Sequence, residues 1–206
     1  VGFLLAVLLD QKIRFENTFR TIFLYPFALS AVITGLVWQC YLNPAFGLQK
    51  AVRSLGWESF TFDWIANRQM VLFAIGLAAV WQGTGLVMAL MLAGLRSVDN
   101  EIWSASRIDG IPKWRVYLSI VIPMMRPVFV TAFVLVAAGT DRTYDIVVAM
   151  TAGGPGLQSQ LPTLYIIEYT FSSNLGQGLA AATMLLVTVA IIIIPWAYYE
   201  FGKRRV

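Results

Sequence analysis

Two groups of polar residues interrupt long apolar stretches of this 206-residue chain. Segment 81–85 (WQGTG) stands in the middle of the uncharged run 70–95, and segment 139–145 (GTDRTYD) carries three charges. Amide, hydroxyl and carboxylate groups in apolar surroundings are costly unless they hydrogen-bond to a solute or to a neighbouring helix. The chemistry that these residues offer is therefore the non-covalent recognition of a polar solute.

Each group also has a purely structural interpretation, and both interpretations stay open. The amide of Gln82 can bond to a neighbouring helix that the flanking glycines allow to approach closely. Arg142 and Asp145 are three residues apart, so they can neutralise each other on one helical face. Asp141 is a candidate for solute binding because intramembrane charges are functional by default.

Residue types that carry out covalent chemistry are scarce in this chain. It has no histidine, which excludes imidazole catalysis and histidine-ligated metal sites. Cys40 is the single cysteine, so it has no partner for an intrachain disulfide or a paired-cysteine metal site, and we expect it to be buried as a small apolar residue. We predict no catalytic residue, no metal and no cofactor.

The composition indicates an integral membrane protein. Hydrophobic residues make up 58% of the chain and charged residues 13%, and the mean hydropathy is +0.70. A soluble domain carries about 25% charged residues. A soluble enzyme, a disordered regulator and a nucleic-acid binder are therefore excluded, although the net charge is +4.

Uncharged runs of about 20 residues, the length of a membrane-spanning helix, occur at 21–42, 70–95 and 179–199. A fourth span is broken by Pro123 and Pro127, and we place it at 127–150. Segment 1–9 is apolar but short, so we expect it to be the end of a helix that begins earlier in a longer native protein. The prediction is an all-α polytopic bundle with four full spans and the end of a truncated one.

Basic residues predict the orientation. Ten of them fall in segments 10–20, 96–115 and 200–206, against three in 43–69 and 151–178. Under the positive-inside rule the first set lies in the cytoplasm, and so does the C-terminus. We expect the other set to lie outside, with a tight turn at 151–156, a short helix over 161–171, and aromatic residues of 57–64 at the lipid interface.

The predicted cytoplasmic loop over 97–127 has more residues typical of turns and helix ends than a simple connector needs. Asp99 or Asn100 can cap a helix that runs to about Ile108, and Gly110 can end it. Pro112 then suits the first turn of a second helix. This pattern predicts a helix, a turn and a helix, with small residues that allow another protein to approach closely.

Here the chain resembles a known family, the inner-membrane permease subunits of bacterial binding-protein-dependent ABC importers. Their signature is E-A-A, two residues, D-G-A, then a spaced aromatic residue, Ile and Pro. It stands here as segment 104–111 (SASRIDGI) followed by Tyr117, Ile120 and Pro123. Segments 24–27 (LYPF), 43–47 (NPAFG) and 151–155 (TAGGP) resemble the carbohydrate branch, specifically the maltose-type first permease subunit.

The resemblance implies one transmembrane domain over 1–206, with a coupling helix at 97–111 on which two ATPase subunits dock. It also implies a second permease subunit and an external solute-binding protein. The coupling residues it implies are Ser104, Ala105, Ser106, Asp109 and Gly110. Ser104 stands where the family has Glu, and Ile111 where it has Ala. Our hypothesis is that Glu101, one helical turn earlier, replaces the missing carboxylate.

The family also implies a solute path. Positions that contact sugar in maltose-type subunits correspond to Phe27, Ala31, Gln82, Gly83, Thr140 and Thr143, to which we add Asp141. The expected function is ATP-driven import of a sugar or sugar-like solute by alternating access; the alternative is a non-sugar solute such as a polyol or a glycerol phosphate ester. The chain lacks a GxxxxGK[ST] loop, so we expect its partners to bind the ATP. An ion channel and a membrane enzyme built on Asp141 and Asp145 are weaker alternatives.

Overall fold

The computed structural model describes residues 1–11, 14–139, 141–172 and 174–202, with side chains described in these ranges except at 141–142, 192–193 and 195–202. Every regular element in those ranges is a helix. The continuous apolar runs predict this result, and the all-α fold class is confirmed for the part of the chain that is described.

The helices follow one another through short connections. They are α1 (Gly2–Asp10), α2 (Glu16–Ala28), α3 (Ala31–Leu42), α4 (Leu48–Ser54), α5 (Val71–Arg96), α6 (Asn100–Ile108), α7 (Lys113–Met124), α8 (Arg126–Ala138), α9 (Asp141–Thr151), α10 (Pro162–Phe171) and α11 (Leu175–Gly202). One turn of α7, at Tyr117–Val121, is π-helical.

Helix α5 is the centre of the packing. It has 26 residues, or about 39 Å at 1.5 Å per residue, which exceeds the roughly 30 Å of a bilayer core. One buried apolar cluster joins its first half, up to Ala78, to α3 and α9. A second joins its last half, from Met88, to α1, α7 and α8. The middle of α5 lies between these two clusters.

The predicted uninterrupted span over 21–42 is wrong. Helices α2 and α3 are bent by 99° relative to each other, and Leu29 at the junction is extended with φ −73° and ψ 148°. Pro26 lies inside the last turn of α2, where it has no N–H to donate to the Ile22 carbonyl and so weakens the end of that helix. The break follows three residues later, before the new helix starts at Ala31.

The fourth predicted span also differs from the structure. The chain bends by 69° at Met125, so the break predicted between Pro123 and Pro127 is confirmed. The uninterrupted helix over 127–150 is wrong, because α8 ends at Ala138 and α9 begins at Asp141. Helix α9 instead packs along α3 so closely that a Cβ on Gly35 would lie 2.5 Å from Ala149 Cβ.

Helices that meet the length and hydropathy of a membrane span are present. Among the described residues, α5 meets both criteria alone, and two bent pairs, α2 with α3 and α7 with α8, meet them together. The described part of α11 has a shorter apolar stretch, Leu175–Ile191. Cys40 is exposed rather than buried, because the outward face of a membrane helix is as apolar as its inward face.

The segments between spans fold largely as predicted. The 151–156 turn has positive φ at Ala152, Gly153 and Gly156, and α10 matches the short helix expected over 161–171. Successive aromatic rings in the 57–64 segment contact one another, and the Phe62 and Trp64 centroids are 4.7 Å apart; their place at the lipid interface stays a prediction.

Candidate functional site: a cavity at the middle of α5 and an exposed loop helix

A cavity of about 450 Å³ opens beside the middle of α5, in the gap between the two buried clusters. Its volume falls within the range of small-molecule sites. Helices α2, α5, α8 and α9 form its walls, and the lining residues are Phe27, Ala79, Gln82, Gly83, Leu86, Leu135, Val136, Ala138, Gly139, Thr143 and Ile146. An aromatic ring, an amide and a hydroxyl thus meet in a mainly apolar chamber.

Four of the residues predicted to bind solute line this cavity: Phe27, Gln82, Gly83 and Thr143. Ala31 does not line it; this residue is 8% exposed and belongs to the cluster between α3, α5 and α9. Its position in the first turn of α3, just past the break, turns it towards that core. Thr140 and the side chains of Asp141 and Arg142 lie outside the described residues, so the predicted pairing of Arg142 with Asp145 stays a prediction.

Gln82 has a structural partner as well as a place in the cavity wall. Its side chain is 4% exposed, and Nε2 donates a hydrogen bond of 3.0 Å to the carbonyl oxygen of Leu29. Leu29 is the extended residue at the break between α2 and α3, where that carbonyl has left the regular helix. The amide therefore stabilises the break that shapes one edge of the cavity, as the structural interpretation of Gln82 predicts.

The two glycines that follow Gln82 differ in their surroundings. A Cβ on Gly85 would lie 2.1 Å from the carbonyl oxygen of Phe23, so only glycine permits the observed approach of α2 to α5. A Cβ on Gly83 would meet nothing within 4 Å. Gly85 therefore sets the packing of the wall, whereas Gly83 leaves space in the cavity.

The loop helix α6 forms with the predicted boundaries. Asp99 occupies the position before the first turn, although its side chain makes no capping bond, and Gly110 has φ +68° just after the last turn. Pro112 precedes α7 by one residue rather than lying in its first turn.

Most of the predicted coupling residues are accessible on α6 and its turn. The exposed ones are Glu101, Ser104, Ala105, Asp109 and Gly110. Ser106 is an exception, because it is 6% exposed and its hydroxyl donates to the Trp103 carbonyl oxygen at 3.0 Å. Ser106 thus faces inward, towards the side on which Trp103 contacts Tyr117, and its contact with an ATPase subunit stays a prediction.

An ion pair that the sequence analysis did not predict lies at the base of this loop. Arg96, the last residue of α5, pairs with Glu16, the first residue of α2, and its Nε lies 3.9 Å from an Asp10 carboxylate oxygen. Burial raises the pKa of Asp10 above its ordinary value, and the charge of Arg96 opposes that rise. Glu16 and Arg96 are 80 residues apart, so no local pattern connects them.

The sequence pattern did not predict the apolar residues that line the cavity, although helical spacing indicates two of them. Ala79 and Leu86 are three residues from Gln82 and Gly83 respectively, so helical spacing places them beside the predicted pair. Leu135 and Val136 near the end of α8 had no such signal. Within the described ranges, no group of three or more acidic or cysteine side chains lies close enough to hold a metal ion.

Comparison with known proteins agrees with this arrangement. The chain is 34% identical to a probable ABC transporter permease protein of Pyrococcus horikoshii, over 100% of the chain and 71% of that protein. It is 33% identical to the xylose/arabinose import permease protein XacH of Haloferax volcanii, over 98% and 64%. The chain thus spans about two thirds of the length of these relatives.

A solved structure shares the fold. It is a bacterial alginate ABC transporter in complex with an alginate pentasaccharide-bound periplasmic protein, matched with a TM-score of 0.80 and 17% identity over 96% of this chain and 69% of that one. All of residues 1–206 match the family described as the inner membrane component of binding-protein-dependent transport systems. The chain belongs to this family of permease subunits, as the signature around Asp109 and Gly110 predicts.

Proposed function

We propose that this chain is the permease subunit of an ATP-driven importer that carries a sugar or sugar-like solute into the cytoplasm. The observation that carries the proposal is the cavity at the middle of α5. A membrane transporter needs a solute site near the centre of the bilayer, lined by a few polar groups. The cavity offers the Gln82 amide, the Thr143 hydroxyl and the Phe27 ring, which are the groups that bind sugar hydroxyls and sugar faces.

The relatives support this class of solute. One is named for xylose and arabinose import, and the solved neighbour is named as an alginate ABC transporter. The neighbour is also in complex with a periplasmic protein, which supports a solute-binding protein as a partner of this chain.

The rest of the proposed complex consists of a second permease subunit and two ATPase subunits. The 97–111 loop faces the cytoplasm in this arrangement, with the C-terminus on the same side. The ATPases dock on the exposed residues of α6 and supply ATP binding and hydrolysis. Their closure moves the loop, and the helices around the cavity then expose it alternately to the two sides of the membrane.

Reconstitution into lipid vesicles tests this function. The complete complex is expected to accumulate radiolabelled sugar only when ATP is inside the vesicle and the binding protein is outside. Flux without ATP would contradict the importer and indicate a channel, and chemical conversion of the sugar without uptake would indicate an enzyme.

A matched pair of variants tests the site. Thr143→Val is expected to raise the sugar concentration for half-maximal uptake a few-fold, because a lost hydrogen bond costs about 0.5–1.5 kcal/mol. Thr131→Val is the control, since Thr131 is exposed and its hydroxyl bonds within its own helix to the Pro127 carbonyl. Equal kinetics for Thr143→Val and wild type would remove Thr143 from the solute site.

A further inference from the structure

An ion pair connects the start of the 97–111 loop to helix α2. Arg96 is the last residue of α5, and its guanidinium pairs with the carboxylate of Glu16 at the start of α2. Ser97 follows directly and begins the loop, and its hydroxyl and N–H both bond back to the Gly94 carbonyl. The end of α5, the start of the loop and the start of α2 are therefore joined at one point.

Farther along the chain, part of the loop lies beside a cleft. A cleft of about 610 Å³ lies between α6, the ends of α1 and α5, and the start of α7, and Arg96, Trp103 and Tyr117 are among its lining residues. Helix α6 packs across this cleft through Ile102 and Trp103, and the Trp103 ring contacts the edge of Tyr117 with ring centroids 5.2 Å apart. Val98 and Ile111, at the two ends of the loop, also belong to or pack against the buried cluster around the end of α5.

The other end of α2 reaches the solute cavity. Phe27, near the end of that helix, lines the cavity, and the Phe23 carbonyl packs directly on Gly85 of α5. Helix α2 is thus held to α5 by backbone contact near the cavity and by the Arg96–Glu16 pair at the loop. When both contacts are present, we expect α2 and α5 to move together as one rigid unit.

We propose that Arg96 is a positioning residue of the transport cycle: by binding Glu16, it makes α2 follow the base of the 97–111 loop, so that movement of the loop reaches the cavity. This inference rests on the proposed function. The pair is partly solvated, with the Arg96 and Glu16 side chains 45% and 26% exposed. A pair of that exposure contributes little to stability, so its loss is expected to affect coupling rather than folding.

Charge reversal separates this role from a merely structural one. The variants are Arg96→Glu, Glu16→Arg and the double reversal, and the readout is the number of sugar molecules imported per ATP hydrolysed by the reconstituted complex. Each single variant is expected to lower this ratio about fivefold or more while assembly stays normal. The double variant is expected to return it to within about twofold of wild type.

A matched control comes from Asp10, the second carboxylate near Arg96. Asp10 does not share the hydrogen bond that joins Arg96 to Glu16, because its carboxylate lies 3.9 Å from the Arg96 Nε, at the outer limit of an ion pair. Asp10→Asn is therefore expected to leave the ratio near wild type, and Arg96→Lys is expected to keep most of it. If charge reversal prevents assembly, Glu16→Gln, which preserves side-chain shape, decides the question through the same ratio.

The outcomes also separate this inference from the proposed function. A wild-type complex without ATP-dependent uptake contradicts the proposed function itself. Normal wild-type uptake, together with unchanged ratios in the single variants or in Glu16→Gln, overturns the role of Arg96 alone. So does a double reversal that is no better than the single variants, because the pairing would then not be what the loop requires.

Discussion

Replacing Gln82 by leucine removes the one amide that joins α5 to the break between α2 and α3. Leucine has a similar volume and enters a site that is otherwise apolar, so the main loss is the hydrogen bond from Nε2 to the Leu29 carbonyl. That carbonyl lies at the bend, where the regular helix has ended. We expect α2 and α3 to hold their 99° bend less firmly in this variant.

The structure sets the size of the effect. Gln82 is 4% exposed, and interhelical hydrogen bonds in membranes contribute about 0.6 kcal/mol on average and up to about 1.7. A Leu29 carbonyl left without its donor adds to this loss. The expected destabilisation is therefore about 1 kcal/mol, or about 2–4 °C in the melting temperature of a chain this size.

The assay is thermal unfolding of the purified complex in detergent, followed by uptake measurements in vesicles. Thr84→Val is the matched control, because Thr84 is two residues away and its hydroxyl bonds within α5 to the Val80 carbonyl. We expect Thr84→Val to melt near wild type and Gln82→Leu to melt lower and to bind sugar more weakly. A Gln82→Leu protein with wild-type melting and kinetics would refute the role of this amide in both the bend and the cavity.

Three further predictions concern packing and the loop. Gly85→Ala is expected to lower the amount of folded protein in membranes sharply, measured by size-exclusion chromatography of a fluorescent fusion, because its Cβ would lie 2.1 Å from the Phe23 carbonyl oxygen. Gly110→Ala is expected to weaken co-purification of the ATPase, since φ +68° costs a non-glycine residue about 1–2 kcal/mol, while the membrane amount stays normal. Glu101→Gln is expected to weaken the same co-purification and Ser104→Glu to restore it in the double variant; wild-type association of Glu101→Gln would mean that docking depends on shape alone.

Local sequence signals predicted the helices whose ends are marked by charged residues, capping residues, glycine or proline. Helix α5 was predictable because charges appear only at its end, and α6 because a capping position and a glycine enclose it. The break at Met125 followed from the two prolines around it. The bend after Pro26 was missed, since one proline in an apolar run is equally compatible with a continuous, kinked span.

The site was predictable where a polar residue marked it. Gln82 and Thr143 stand out against apolar neighbours, and the structure brings both to one cavity. Leu135 and Val136 in the opposite wall look like any lipid-facing residues, because lipid and protein interior are equally apolar. The exposed Cys40 has the same explanation. Whether such a residue lines a cavity, contacts another helix or faces lipid depends on how the helices pack, which the local sequence does not indicate.

The proposed function requires the solute to pass through the cavity beside α5. Two glycines of this helix allow a matched test, since a Cβ on Gly83 or on Gly76 would meet nothing within 4 Å. Only Gly83 lines the cavity, and Gly76 lies seven residues earlier on the same helix. The first carbon of a new side chain therefore has space within this chain at both positions, and at Gly83 a leucine extends into the proposed path.

The measurement is ATP-dependent sugar uptake by vesicles that hold equal amounts of assembled Gly83→Leu, Gly76→Leu and wild-type complexes. We predict that Gly83→Leu lowers uptake by about tenfold or more, equivalent to about 1.4 kcal/mol, while Gly76→Leu transports at the wild-type rate. Wild-type uptake by Gly83→Leu, or an equal loss in both variants, would contradict the assignment of this cavity as the solute path.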